Sequence, residues 1–229
     1  MANPNIELLT AIANAMGALR DQVVFVGGCA TGLLITKPLV ADARATEDVD
    51  AIVEVASLVG YHALAGQLVD QGFKQTMADN TPPFRWYWQG MQLDLVPVDE
   101  KVLGFANRWY KPGFETAVST ALPSGLVLRH LSAPYFMATK LEAFKDRGNN
   151  DIYLSHDLED VITVVDGRHE LIEELASAPP GVRQFVAAVV QGVLNHADFT
   201  NALPGIVSQS TRAGLVLQRL AKIANLQSP

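Results

Sequence analysis

The chain has 229 residues, 49% hydrophobic and 18% charged, and 17 basic against 24 acidic residues give a formal charge of −7, which argues against broad non-specific nucleic-acid binding but not against a local basic groove. No apolar run approaches the roughly 20 residues that cross a bilayer, and MANPNIELLTAIANAM lacks a basic start followed by an apolar signal core. A single cysteine, Cys29, excludes an internal disulfide and fits a reducing cytosol, so a cytoplasmic globular protein with no membrane partner is expected, of one large domain or one domain with a smaller appendage.

In chain order, Ile6, Leu8, Leu9, Ile12, Met16 and Leu19 recur close to a 3.6-residue period and predict an opening helix over 5–19 that packs on a sheet. Val23-Val24-Phe25-Val26 makes 22–26 a first strand, which stops at Gly27-Gly28, and a helix over 28–36 follows, ended near Lys37-Pro38. Residues 38–47 are a polar loop carrying Arg44 and Thr46. Residues 49–55, β-branched and apolar except for Asp50 and Glu54, are a largely buried second strand. A helix over 57–71 is closed by Gly72. Strands at 84–88 and 92–98 pair through a turn at Gln89-Gly90. Residues 99–113 read as a loop with Phe105, Arg108, Trp109, Tyr110 and Lys111, and 126–131 as one more strand.

From Pro134, tolerated in a first turn, the pattern is helices alone. They are expected over 134–147, over 156–166 with Ser155 as N-cap, and over 168–177, 181–196 and 210–225. No internal repeat is present. The fold class expected is α/β (α+β): a mixed sheet flanked by helices, then a C-terminal helical bundle. A sheet-bearing catalytic domain would cover 1–132 and a helical domain 133–229, the latter completing a cleft.

The chemistry concentrates in three acids. Asp48 and Asp50, two residues apart on a strand, point to one face, with Val49 on the other. If 92–98 is the neighbouring strand, Asp94 in QLDLVPV stands beside them. Three carboxylates at one spot repel unless a cation joins them, and magnesium, which prefers oxygen ligands and substrate phosphates, suits the set, with manganese as the alternative ion. Two such ions about 4 Å apart would clamp the attacking and leaving oxygens of a phosphoryl displacement. Gly27 and Gly28 would let a phosphate approach the backbone, with the N–H groups of the next helical turn pointing at it. The plainer alternative makes each acid a surface or capping residue, though an unpaired carboxylate buried in LDLVPV would be costly.

This order of motifs resembles the nucleotidyltransferase superfamily, the polymerase-β-like group. KLEAFKDRGNNDIYLSHDLEDVITVVDGR, over 140–168, looks more particularly like the AbiEii-type abortive-infection nucleotidyltransferases, whose KLxAxxxR helix precedes one starting polar-Asp-Leu-x-Asp. Here those are Lys140-Leu141-Glu142-Ala143 with Arg147, and His156-Asp157-Leu158-Glu159-Asp160. The resemblance covers about residues 20–170. It implies that Asp48 and Asp50 hold the metal and that Asp94 is a third ligand, placed to help deprotonate the attacking hydroxyl. It further implies that Lys140 contacts the nucleotide phosphates and that Asp157 completes the site. An NTP would be the substrate, a tRNA 3′ end the acceptor, and a toxin with a cognate antitoxin protein the role. Two departures stand out: Gly27-Gly28 replaces the usual glycine-serine pair, and the gap from Gly28 to Asp48 is longer than in compact members.

Other readings stay open beside this one. Lys140 alone reads as a solvated helix lysine, Arg147 as a partner of Asp146 or Asp151, Asp157 as an acid favoured by the helix dipole, and Asp160 as structural. Arg44 and Thr46 either reach a triphosphate or decorate a loop. His156 is a cap-region histidine and Cys29 a small buried residue. The 105–111 loop either stacks a base and binds phosphate or packs its aromatics locally. The alternatives for the whole chain are nucleotidyl transfer to a small molecule such as an aminoglycoside, and a non-catalytic nucleotide-binding regulatory module.

Overall fold

Val23-Val24-Phe25-Val26 is β-branched or aromatic throughout and all four side chains are buried, which places this strand, β1 (Val23–Val26), inside a sheet rather than at its edge. The computed structural model describes residues 4–37, 43–76, 81–146 and 151–227. β1 lies antiparallel to β2 (Asp48–Val53), and β2 lies parallel to β4 (Met91–Pro97). β3 (Arg85–Trp88) and β5 (Val118–Ala121) form the edges and β6 (Val127–His130) is parallel to β1, giving the order β3-β4-β2-β1-β6-β5. Gln89 and Gly90 take φ of +49° and +84°, the left-handed pair a tight two-residue hairpin requires. That turn sets Trp88 opposite Met91 and, three pairs further on, Arg85 opposite Asp94.

The chain divides into two compact units, Met1–Gly32 with Ala45–Ser132 and Leu33–Arg44 with Ala133–Pro229. In the first, α1 (Pro4–Ala15) buries Leu9, Ile12 and Ala13 and runs into a 3-10 turn, Gly17–Gln22. A second 3-10 turn, Gly28–Ala30, leads into α2 (Thr31–Leu34), whose last two residues already count with the second unit. α3 (Leu58–Asp70) is capped by Ser57, whose Oγ accepts from the Gly60 amide at 3.2 Å. Its Tyr61 hydroxyl donates to the Leu95 carbonyl at 2.9 Å, tying the helix to β4. α4 (Glu100–Leu103) and α5 (Tyr110–Glu115) precede the β5–β6 hairpin.

The second unit holds α6 (Ala133–Asp146), α7 (His156–Gly167), α8 (Leu171–Ser177), α9 (Pro180–Leu194), α10 (Phe199–Ile206) and α11 (Ala213–Ala224). Phe136, Met137, Leu141 and Phe144 of α6 are buried, as are Val161, Ile162 and Val165 of α7 and Val216, Leu220 and Ile223 of α11. The C-terminal end of α7 is held by two arginines. Arg212 grips the Asp166 carboxylate at 2.6 and 2.8 Å, and Arg219 Nη1 donates to the Val165 and Asp166 carbonyls at 2.7 and 2.8 Å, meeting groups a helix end leaves unpaired. The Thr36 and Lys37 amides donate to the Gly167 carbonyl, fixing the segment after α2 to this unit.

This is the mixed α/β sheet with flanking helices and C-terminal helices that the sequence predicts. Four details differ. The helix expected over 28–36 is a 3-10 turn followed by four α-helical residues. Residues 99–113, read as loop, contain α4 and the start of α5. β5 and α10 have no counterpart in the sequence reading. Arg147, residues 38–42 of the predicted loop and the end of the predicted 134–147 helix lie outside the described residues. No helix among the described residues is long and apolar enough to cross a membrane.

Candidate active site

Alternation along β2 sends the half-buried Asp48 and Asp50 to one face while Val49, with no exposed surface, goes into the core. The parallel neighbour β4 places Gln92, Leu93 and Asp94 opposite Asp48, Val49 and Asp50 in that order. Asp50 and Asp94 are therefore side by side. One carboxylate oxygen from each of Asp48, Asp50 and Asp94 lies within 4.8 Å of the others, a spacing that a divalent cation with oxygen ligands can bridge. The sequence expectation that 92–98 neighbours the strand of the acid pair thus describes the structure.

Gly27 follows β1 at the point where Val26 pairs with Asp50. Its φ is +70°, and a Cβ built there would stand 1.9 Å from Asp50 Oδ2. The glycine is needed because the Asp50 carboxylate occupies the space of its missing side chain. Gly28 is buried and opens the 3-10 turn, so the N–H groups at this end belong to a short turn rather than to a long helix with a full dipole.

The approach to β2 is tied down by a buried asparagine the sequence reading passed over. Asn5 of α1 accepts from the Thr46 amide at 3.0 Å through Oδ1 and from the Cys29 thiol at 3.2 Å through its carbonyl. The Thr46 hydroxyl donates to the Asp48 carbonyl at 3.1 Å. Thr46 thus shapes the entry to the acid pair. Burial pushes the Cys29 thiol up to about 12, and the nearby Asp50 and Asp48 charges add to the rise.

Arg85 is the other residue the sequence reading left without a role. Its Nε and Nη2 donate to Asp94 Oδ1 and Oδ2 at 2.9 and 2.7 Å, a two-point grip on the third acid. That hydrogen bond raises the guanidinium pKa further above its ordinary value. Gln92 stands beside the pair. With its amide turned to satisfy both ends, its oxygen accepts from Arg85 at 3.1 and 3.2 Å.

In the second unit, Lys140 of α6 is 7% exposed, and its ammonium lies 3.0 Å from Asp157 Oδ1 and 2.7 Å from Asp160 Oδ2 on α7. Burial pushes this lysine's pKa down, but the charges and hydrogen bonds of the two acids outweigh it and the net shift is upward. Lys140 is therefore not a solvated helix lysine. Asp160 is as close a partner as Asp157, and Arg44 approaches Asp160 at 3.9 Å and Glu159 at 3.8 Å. Ser155 caps α7 as expected, Oγ accepting from the Leu158 amide at 3.2 Å, and sets Asp157 in the first turn. His156 is an exposed histidine beside Glu159. In the 105–111 stretch, Phe105 stacks on Phe84 at 6.0 Å between ring centroids, and the Arg108 guanidinium lies 4.9 Å from the Trp109 ring centre.

No family model matches the chain, and no curated protein does. Among solved structures that match is the crystal structure of ANT(2")-Ia in complex with adenylyl-2"-tobramycin, at 17% identity and a TM-score of 0.47, over 82% of this chain and 97% of that one. Another is JHP933 from Helicobacter pylori, at 12% identity and a TM-score of 0.49, over 99% of this chain and 94% of that one. At such low similarity the functional reading rests on the chain's own residues.

Proposed function

We propose that this chain is a magnesium-dependent nucleotidyltransferase. The observation that carries the reading is the set of three carboxylates, Asp48, Asp50 and Asp94, within 4.8 Å on two adjacent parallel strands. Three acids so close are a poor device for stability and a good one for a hard divalent cation. Arg85 offsets the charge of Asp94; an ion held by Asp48, Asp50 and Asp94 would offset the remaining charge and that on the phosphoryl oxygens.

The reaction is an in-line displacement. An acceptor hydroxyl oxygen bonds to the α-phosphorus of an NTP as the bond from that phosphorus to the bridging oxygen breaks, and pyrophosphate leaves. The hydroxyl proton passes to a carboxylate of the triad, Asp94 being the one the family resemblance designates. Positioning and electrostatics carry such transfers. In the same resemblance Gly27, Gly28, Lys140 and Asp157 are nucleotide-binding. The tRNA 3′ end as acceptor, and a toxin role with an antitoxin partner, rest on that resemblance alone.

Incubation with each α-labelled NTP, Mg²⁺ and either total tRNA or an aminoglycoside tests the reading. Wild type should transfer label in one arm, and chelation, Asp48→Asn or Asp50→Asn should reduce transfer by about a hundred- to a thousandfold, as expected when a charge-stabilising group is lost. Transfer that survives either substitution would remove the acids from the chemistry. Label in the aminoglycoside arm alone would replace the tRNA assignment with the small-molecule one.

A further inference from the structure

We propose that Arg85 is a positioning residue of this site, a resident counter-ion that holds Asp94 in the triad and competes with the divalent cation for it. The proposal rests on the reading of Asp48, Asp50 and Asp94 as a metal site. Its basis is the two-point contact, 2.9 Å to one Asp94 oxygen and 2.7 Å to the other, which leaves no Asp94 oxygen without a cationic neighbour. The placement is built into the fold. The hairpin turn sets Arg85 opposite Asp94, and β4 sets Asp94 opposite Asp50, so the guanidinium and the acid pair flank the same carboxylate. The Asp94 side chain is 8% exposed and the Arg85 side chain, on the edge strand, 29%. The acid is fixed in place while the arginine has solvent on one side.

A cation bound to all three acids shares Asp94 with Arg85, and two positive groups on one carboxylate repel over a few ångströms. Arg85 therefore steadies the acids before metal arrives and weakens the grip on it afterwards. A purely architectural arginine predicts the opposite sign, because removing it would disorder Asp94 and loosen the metal.

Mn²⁺ titrations followed by electron paramagnetic resonance separate these cases without relying on activity. They use the full chain as wild type, Asp48→Asn, Arg85→Gln, Arg85→Met and Arg85→Lys, each checked for folding by circular dichroism. Both neutral variants should bind Mn²⁺ about tenfold more tightly than wild type, and Arg85→Met provides the comparison if Arg85→Gln does not fold. Arg85→Lys, which keeps the charge and loses the fork, should stay close to wild type. Equal or weaker binding by the neutral variants overturns the role of Arg85 while leaving the metal site standing, as does tightening in Arg85→Lys as large as in Arg85→Gln. Wild type binding no better than Asp48→Asn sinks the metal-site reading, and the proposal with it.

Discussion

Replacing Gly27 with alanine would set a methyl group 1.9 Å from Asp50 Oδ2 at a backbone φ of +70°. Either the acid or the strand end must move, at a cost of about 1–3 kcal/mol in stability. Urea unfolding should show this loss, and Mn²⁺ affinity should fall with it because Asp50 is the group displaced. Lys140 carries more energy. Lys140→Met leaves Asp157 and Asp160 buried without their ammonium, at about 3–5 kcal/mol. Adding Asp157→Asn and Asp160→Asn should restore most of that loss, whereas a lysine without a structural part would show no such recovery. Cys29 supplies a pH signature. Burial holds its thiol near 12 against an ordinary 9.0, so the contribution is complete below pH 9 and is lost as pH rises towards 12. Unfolding titrations over that range should show a falling slope that Cys29→Ala lessens.

At the scale of elements, Ser155→Ala should cost about 1 kcal/mol by uncapping α7, read as a lower urea midpoint with unchanged slope. The hairpin explains how far the site was legible. Gln89-Gly90 announces a two-residue turn, and counting outward from it pairs residue 85 with 94, so the Arg85–Asp94 contact was available to anyone who followed the register. The buried apolar run of β1 and the DxD on β2 were equally plain. β5, with the sequence VSTA and an almost wholly exposed surface, has neither an apolar face nor alternation to betray it. α10 carries Pro204 and Gly205, which read as breakers. The short α4 begins at the Asp99 cap and stops at the left-handed Gly104, too brief for any periodicity to register.

At the scale of the whole molecule, composition and the change of pattern near residue 132 made the mixed sheet and the helices after it readable. Attachment of Leu33–Arg44 to the helical unit was not, because it depends on amides of Thr36 and Lys37 finding the carbonyl of Gly167, 130 or more residues away. The long interval between Gly28 and Asp48 contains this segment, so that spacing has an architectural use. The proposed transfer of a nucleoside monophosphate at the triad can be followed by labelling one NTP at the α- or γ-phosphate in parallel reactions. Wild type should put α-label into the acceptor and γ-label into pyrophosphate, and Asp50→Asn should do neither. Label from the γ-phosphate in the acceptor, or α-transfer undiminished in Asp50→Asn, would contradict it.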